Sequence, residues 1–282
     1  MWPVTFIQDW ILPRRPYELS VGVAQRLRST SERKPFGADA LKVSPEHAEE
    51  SSFFQLRVAG PRDCMWVRLD NLRSGTAVTF TPEQHHFVRY LRDGKDSLTR
   101  FYDVHQPTNQ FEGVFSSCAS VGEFEAVRYP FYWHPWTRRS QYFGEAHLGE
   151  EHGNPMFGPV TPEKLDYEAK RLDSVLASIE ENGFWIRGED IPRYRLLVDD
   201  VGSKAPRYVV FLENANHRVA ALSHLGWSLI PMMPQKGQYR EVRLSDVEHW
   251  PGVVQGVFST DAATAYFRAF FRDARMPLLQ GW

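Results

Sequence analysis

A two-part α+β fold is predicted, and three features of the chain predict it. An apolar run of strand length at residues 208–212 leads through a polar turn into a short helical period and a second strand-like run that closes at Pro231. A long amphipathic helix is signalled upstream, from Pro162. Short alternating segments fill residues 50–150, where helical and strand signals are mixed. The spacing divides the chain into an N-terminal arm (1–50), an α+β subdomain with an aromatic linker (51–153) and a C-terminal α+β domain (154–282).

The C-terminal elements can be justified in order. Thr161, Pro162 and Glu163 read as N-cap, first-turn proline and an acid matched to the helix dipole. Leu165, Ala169, Leu172, Leu176 and Ile179 form the apolar stripe behind them, and Gly183 is the expected stop. Residues 208–212 are rich in β-branched and aromatic types, which suits a strand covered on both faces. Glu213, Asn214, Ala215 and Asn216 follow as a turn with side chains able to cap a helix, and Val219, Leu222 and Leu225 carry the helical period to Gly226. Further on, residues 238–243 alternate like a strand, residues 244–250 suggest a turn of helix, and residues 260–272 a better one. That last helix is expected to cover the sheet with Ala263, Tyr266, Phe267 and Phe270.

In the first half, residues 53–58 and 65–69 alternate and residues 77–80 suggest a third strand, which together predict a small antiparallel sheet. A helix is expected over residues 82–102, broken at Asp93-Gly94. Residues 129–139 are dense in aromatic side chains, as expected of a linker wrapping a core. Trp133, Trp136, Arg138 and Arg139 would suit a substrate pocket if they line one, because aromatic faces and guanidinium forks match sugars and phosphorylated ligands.

Two constellations could carry chemistry. His217 and Arg218 fall on the first turn after residues 213–216, where unpaired amides and the positive end of the helix dipole favour an anion. A guanidinium fork and an imidazole there make a phosphate cradle; an ion-paired surface would show the same pattern. The second is a base-acid-base row, Lys164, Glu168 and Arg171, along one face of the upstream helix. Such a row is solvated in most helices. Read functionally, Lys164 and Arg171 neutralise phosphate and Glu168 is the general base on a substrate hydroxyl.

These residues also resemble a known family. Asn214, Ala215, Asn216, His217, Arg218, Ala220, Ala221, Leu225, Gly226, Ile230 and Pro231 are similar to the signature of the ParB/sulfiredoxin-like superfamily, over about residues 155–235. The resemblance implies a small mixed sheet with helices and a nucleotide phosphate bound at this turn. Asn216 stands where sulfiredoxin-like members carry a reactive Cys, and no basic helix-turn-helix region follows as in partition proteins. The nearest branch is that of the free-serine kinases, with Asn214 in the Asp place and Ala215 in the Gly place. That branch implies a nucleotide-dependent kinase acting on a small hydroxyl compound such as a sugar or amino acid. ATP (or ADP or CTP) with Mg²⁺ would be its cofactors, and Glu168 or Glu163 the base. Glu213 would take the part of the missing carboxylate toward metal. A positive φ at Ala215 would cost about 1 kcal/mol or more without glycine. The alternative is a module that binds a nucleotide or phosphorylated metabolite without turnover, and a DNA-associated nucleotide-binding clamp is third.

Composition bounds the rest. With 282 residues, 42% hydrophobic and 24% charged, the chain can bury a substantial core. A net charge of −2 gives no global field for nucleic acid, and no nucleic-acid partner is expected. Cys64 and Cys118 lack metal-ligand or redox spacing, so a reducing, cytoplasmic setting is expected. No apolar run is long enough to span a bilayer; residues 1–15, with Trp2, Trp10, Arg14 and Arg15, leave only peripheral membrane contact open. His85, His86, His147 and His152 have no H-E-x-x-H spacing, and no Walker or dinucleotide glycine motif occurs.

Overall fold

Strand β7 (Arg193–Asp199) organises the main sheet, because both of its edges are paired. On one edge, β8 (Arg207–Leu212) runs antiparallel to it, from Tyr194 opposite Leu212 to Asp199 opposite Arg207. The other edge is shared by two parallel strands. β9 (Leu229–Pro234) pairs with the start of β7, and β10 (Glu241–Arg243) pairs with its later residues. The sheet is completed by β2 (Met65–Arg68), antiparallel to β9, and β3 (Leu72–Arg73), parallel to β8. It is a mixed six-stranded sheet, and with the helices it makes the protein α+β.

The computed structural model describes residues 41–43, 64–107, 131–132, 134–137, 140–141, 148–186, 191–202, 205–235 and 241–272. All of them belong to one compact unit, residues 39–282. Two small antiparallel pairs accompany the main sheet: β1 (Leu41–Val43) with β6 (Phe184–Ile186), and β4 (Phe131–Tyr132) with β5 (Ser140–Gln141). The predicted strand at 53–58, the N-terminal segment 1–15, His147 and Cys118 lie outside the described residues.

Alternation along the central strands sends side chains to two cores. Val210 and Leu212 of β8 enter one core while Val209 and Phe211 enter the other, as the two-residue period of a strand requires. The larger core lies under α1 (His86–Asp93), α2 (Lys95–Val104), α3 (Pro162–Asn182) and α4 (Asn216–His224). The smaller lies under α5 (Pro251–Val254) and α6 (Thr260–Ala269), where Trp136, Tyr266, Phe267 and Phe270 are fully buried. Each such aromatic side chain contributes about 1.5–3 kcal/mol by leaving water. Trp136 thus belongs to the core, as expected of a linker that wraps it, and the pocket-wall reading is corrected for this residue.

Local signals fixed the helix ends. Thr161 caps α3 through its hydroxyl, which accepts from the Lys164 amide, and Pro162 occupies the first turn. Gly183, at φ 76°, ends the helix. Gly94, at φ 85°, separates α1 from α2. The expected small antiparallel sheet of the first half is not a sheet of its own: β2 and β3 are strands of the main sheet, on opposite sides of β7. Residues 77–80 form no strand either. Ala77 takes a positive φ and donates to Ser74 O, and Thr79 is held by the Gln84 carboxamide, so the backbone turns toward α1.

Candidate functional site

Glu168 sits inside the apolar stripe of α3, three residues after Leu165 and four before Leu172, so helical periodicity carries its carboxylate into the core. Lys164, one turn earlier, follows it inward, and both side chains are fully buried. The Lys164 ammonium is 3.0 Å from Glu168 Oε1. On the other oxygen, Oε2, the carboxylate meets His217 Nε2 at 2.5 Å. The opposing acceptor is a carboxylate, so the imidazole donates from Nε2. Phe87 of α1 covers the ring of His217, with centroids 4.6 Å apart and planes at 27°. Three helices therefore meet at a buried Lys164–Glu168–His217 relay.

The turn that delivers His217 is built differently from the sequence expectation. Asn214 does not cap α4: its Oδ1 accepts from the Arg193 amide at 2.7 Å and ties the turn to β7. Glu213 faces the same strand, its amide donating to Arg193 O and its carboxylate paired with the Arg195 guanidinium. Burial raises the Glu213 carboxyl above its ordinary value, against the opposing pull of Arg195. Ala215 is left-handed, at φ 66° and ψ 27°, and no side chain caps the helix. The first bond inside α4 runs from the Val219 amide to Ala215 O, so the amides before it have no acceptor within the helix. Asn216 adds a buried Oδ1 with no hydrogen-bond partner. Arg218 is half-buried beside it.

The other predicted site residues divide clearly. Lys164, Glu168 and His217 are brought together, but with the ammonium buried against Glu168 rather than facing solvent. The expectation of a solvated ion-pair row on α3 is therefore corrected for its first two members. Arg171 lies on α3, half-buried, a turn beyond Glu168. Glu163 is exposed, one residue out of register with the inward face, and its own backbone amide and the Thr161 hydroxyl hold its carboxyl below the ordinary range. It serves the helix start. Trp133, Arg138 and Arg139 lie outside the described residues.

His85 was not assigned to this site from sequence, yet it lies close by. Its Nδ1 accepts from the Phe87 amide, so its Nε2 carries the proton, and that N–H is buried without an acceptor. Burial, reinforced by the nearby His217, pushes its pKa down to about 3. The usable signal is positional, since His85 immediately precedes a helix whose second residue is the apolar, buried Phe87. Among the described residues, no group of three or more His, Cys, Asp or Glu is placed to hold a metal ion, and Glu213 is engaged by Arg195. No helix among them is long and apolar enough to cross a membrane. No protein-family model, curated protein or solved structure matches the chain.

Proposed function

We propose that this chain binds the phosphate chain of a nucleotide or of a phosphorylated metabolite at the start of α4. The observation that carries the reading is the left-handed residue, Ala215, placed directly before a helix whose first-turn amides have no acceptor within it. A non-glycine residue in that conformation costs about 1–2 kcal/mol, and such strain is kept where a turn must present its amides in one direction. Amides with no acceptor inside the helix, the helix dipole and a guanidinium on the same turn, that of Arg218, suit an anion. The buried Oδ1 of Asn216 suits a donor on the same ligand, such as a ribose hydroxyl.

Calorimetric titration with ATP, ADP and CTP, each with and without Mg²⁺, tests this directly. Saturable binding is expected with at least one of them. Arg218→Ala should weaken it by roughly tenfold to a hundredfold, the range for a lost charge-assisted hydrogen bond. A flat titration with all three nucleotides and with sugar phosphates would overturn the reading.

One observation favours a second reading, phosphoryl transfer from the nucleotide to a small hydroxyl compound. The 2.5 Å contact between Glu168 and His217 is the geometry by which a carboxylate orients an imidazole as a proton acceptor. Nε2 is engaged by Glu168, which leaves Nδ1 as the nitrogen that would take the proton of the hydroxyl. Glu168 itself, fully buried, acts through His217 rather than on the acceptor. Mg²⁺, arriving with the nucleotide, would offset phosphate charge; Glu213 is not suited to hold it while paired with Arg195. Nucleotide consumption with a panel of sugars and amino acids is the measurement. Saturable binding without consumption would retire this second reading and leave the first.

A further inference from the structure

The relay prepares the second nitrogen of His217 for more than proton transfer. Nε2 donates to Glu168 Oε2 at 2.5 Å, which fixes the tautomer and leaves the lone pair on Nδ1. Phe87 covers one face of the ring and restricts its rotation. Lys164 sets its ammonium 3.0 Å from the other carboxylate oxygen, and Glu168 is fully buried, so the imidazole faces an anion in a dry setting. A carboxylate bound to Nε2–H raises the basicity of the opposite nitrogen and makes it a better nucleophile.

That nitrogen is also within reach of a ligand. Nδ1 of His217 has no hydrogen-bond partner and, with the side chain 10% exposed, is not sealed from solvent. Two other imidazole nitrogens without partners differ in this respect. Nε2 of His85 carries the proton, and Nε2 of His105 is a lone pair because its Nδ1 donates to Phe157 O at 2.6 Å, but both atoms are buried beyond the reach of a phosphate. His217 stands, moreover, on the turn whose amides have no acceptor within the helix. A phosphate bound at those amides is thereby a neighbour of the ring.

We propose that His217 is the nucleophile of a phosphoryl transfer and carries the phosphoryl group on Nδ1 as a phosphohistidine. This rests on the phosphate-binding reading of the α4 turn, and it gives Nδ1 a covalent part in place of the part of a base. The donor is a nucleoside triphosphate. The Nδ1 lone pair forms the P–N bond to the terminal phosphorus, and the bond from that phosphorus to the bridging oxygen breaks. Its electron pair leaves on the nucleoside diphosphate. The Nε2 proton stays on the ring, whose positive charge is met by Glu168 Oε2, so the step needs no further base. The reverse step returns the phosphoryl group to a nucleoside diphosphate, whose oxygen is already ionised. Lys164 and Glu168, both fully buried, are positioning residues that act through the ring.

Full-length protein incubated with Mg²⁺ and ATP labelled in the γ-phosphate is expected to hold the label through alkaline denaturation and to lose it in mild acid, as a P–N bond requires. The label should map to His217 as the Nδ1 isomer. Labelled ADP should exchange into ATP with no hydroxyl acceptor present, the mark of a covalent intermediate. A general base at Nδ1 supports neither signal. His217→Asn should abolish both. Glu168→Asp keeps the charge but draws the carboxylate back, and should slow labelling by roughly tenfold to a hundredfold. Calorimetry of ATP binding on each of these proteins separates the covalent step from the binding it rests on. Binding without label or exchange would overturn the phosphohistidine and leave the phosphate-binding turn standing; no binding and no label would overturn both. Label that resists acid, sits on the exposed His224 or His249, or survives His217→Asn would also overturn the proposal.

Discussion

Glu168 shows how much a single buried carboxylate can hold in place. An isolated charge in an apolar interior is not tolerated, and here Lys164 supplies the opposite charge while His217 supplies a hydrogen-bond donor. Removing one partner leaves the other charge buried and uncompensated. Glu168→Gln is therefore expected to destabilise the protein by about 3–5 kcal/mol in urea unfolding, because the buried Lys164 ammonium loses the carboxylate 3.0 Å away. The pair Lys164→Met with Glu168→Leu should recover most of that loss, because no charge is left unpaired. A loss under about 1 kcal/mol for Glu168→Gln would mean that the relay carries little stability. The sequence contained the needed hint. Glu168 lies three residues from Leu165 and four from Leu172, inside the stripe rather than beside it, whereas the partnership with His217 joins residues that only the packing of α3 on α4 brings together.

The turn before α4 is the element in which local sequence and tertiary demand pull apart. Asn214 has the chemistry of a cap, yet the Arg193 amide at the start of β7 claims its oxygen, and Ala215 takes the left-handed conformation without the freedom of glycine. Ala215→Gly should relieve that strain. Offsetting the extra entropy of glycine in the unfolded chain, the net gain is expected to be about 0.5–1 kcal/mol, read as a higher urea midpoint. A lower midpoint would show that the alanine methyl makes a packing contribution larger than its backbone cost. The α3 start behaved otherwise. Thr161 and Pro162 act within one turn of helix, so their roles could be read directly, as could the stops at Gly183 and Gly226, both with positive φ.

At the scale of the molecule, a set of buried neutral imidazoles makes stability depend on pH. Burial pushes His85 and His134 from the ordinary value of 6.5 down to about 3, and the proximity of His217 to the first and of Arg195 to the second acts in the same direction. Burial lowers His86 and His105 as well. Between those two values the native state binds fewer protons than the unfolded chain, so stability is full above about pH 6.5 and falls as the solution is acidified toward pH 3. Each of His85 and His134 contributes a loss of about 1.4 kcal/mol per pH unit in that window. Together they should remove roughly 3 kcal/mol between pH 6.5 and pH 5, a large part of an ordinary domain's stability. Urea midpoints measured across that range check it; a flat profile would show that these rings titrate normally. His134 is held in the second core by Tyr266 at 2.8 Å and stacks on Trp136, so both sides of the sheet take part.

Sequence by itself determined the elements governed by neighbours along the chain: the α+β class, the α3 cap and stop, the break between α1 and α2, the β8-turn-α4-β9 run and the inward face of α6. These depend on backbone preferences and periodicities that act over one or two turns. Tertiary structure alone decided which strands share a sheet, since β2 and β3 pair with β9 and β8, strands more than a hundred residues away. It also turned Asn214 toward β7, buried Lys164 with Glu168, and left lone pairs on Asn216 and His105 unanswered. Those outcomes follow from where helices and strands from distant parts of the chain come to rest against one another, and no periodicity within a segment encodes that.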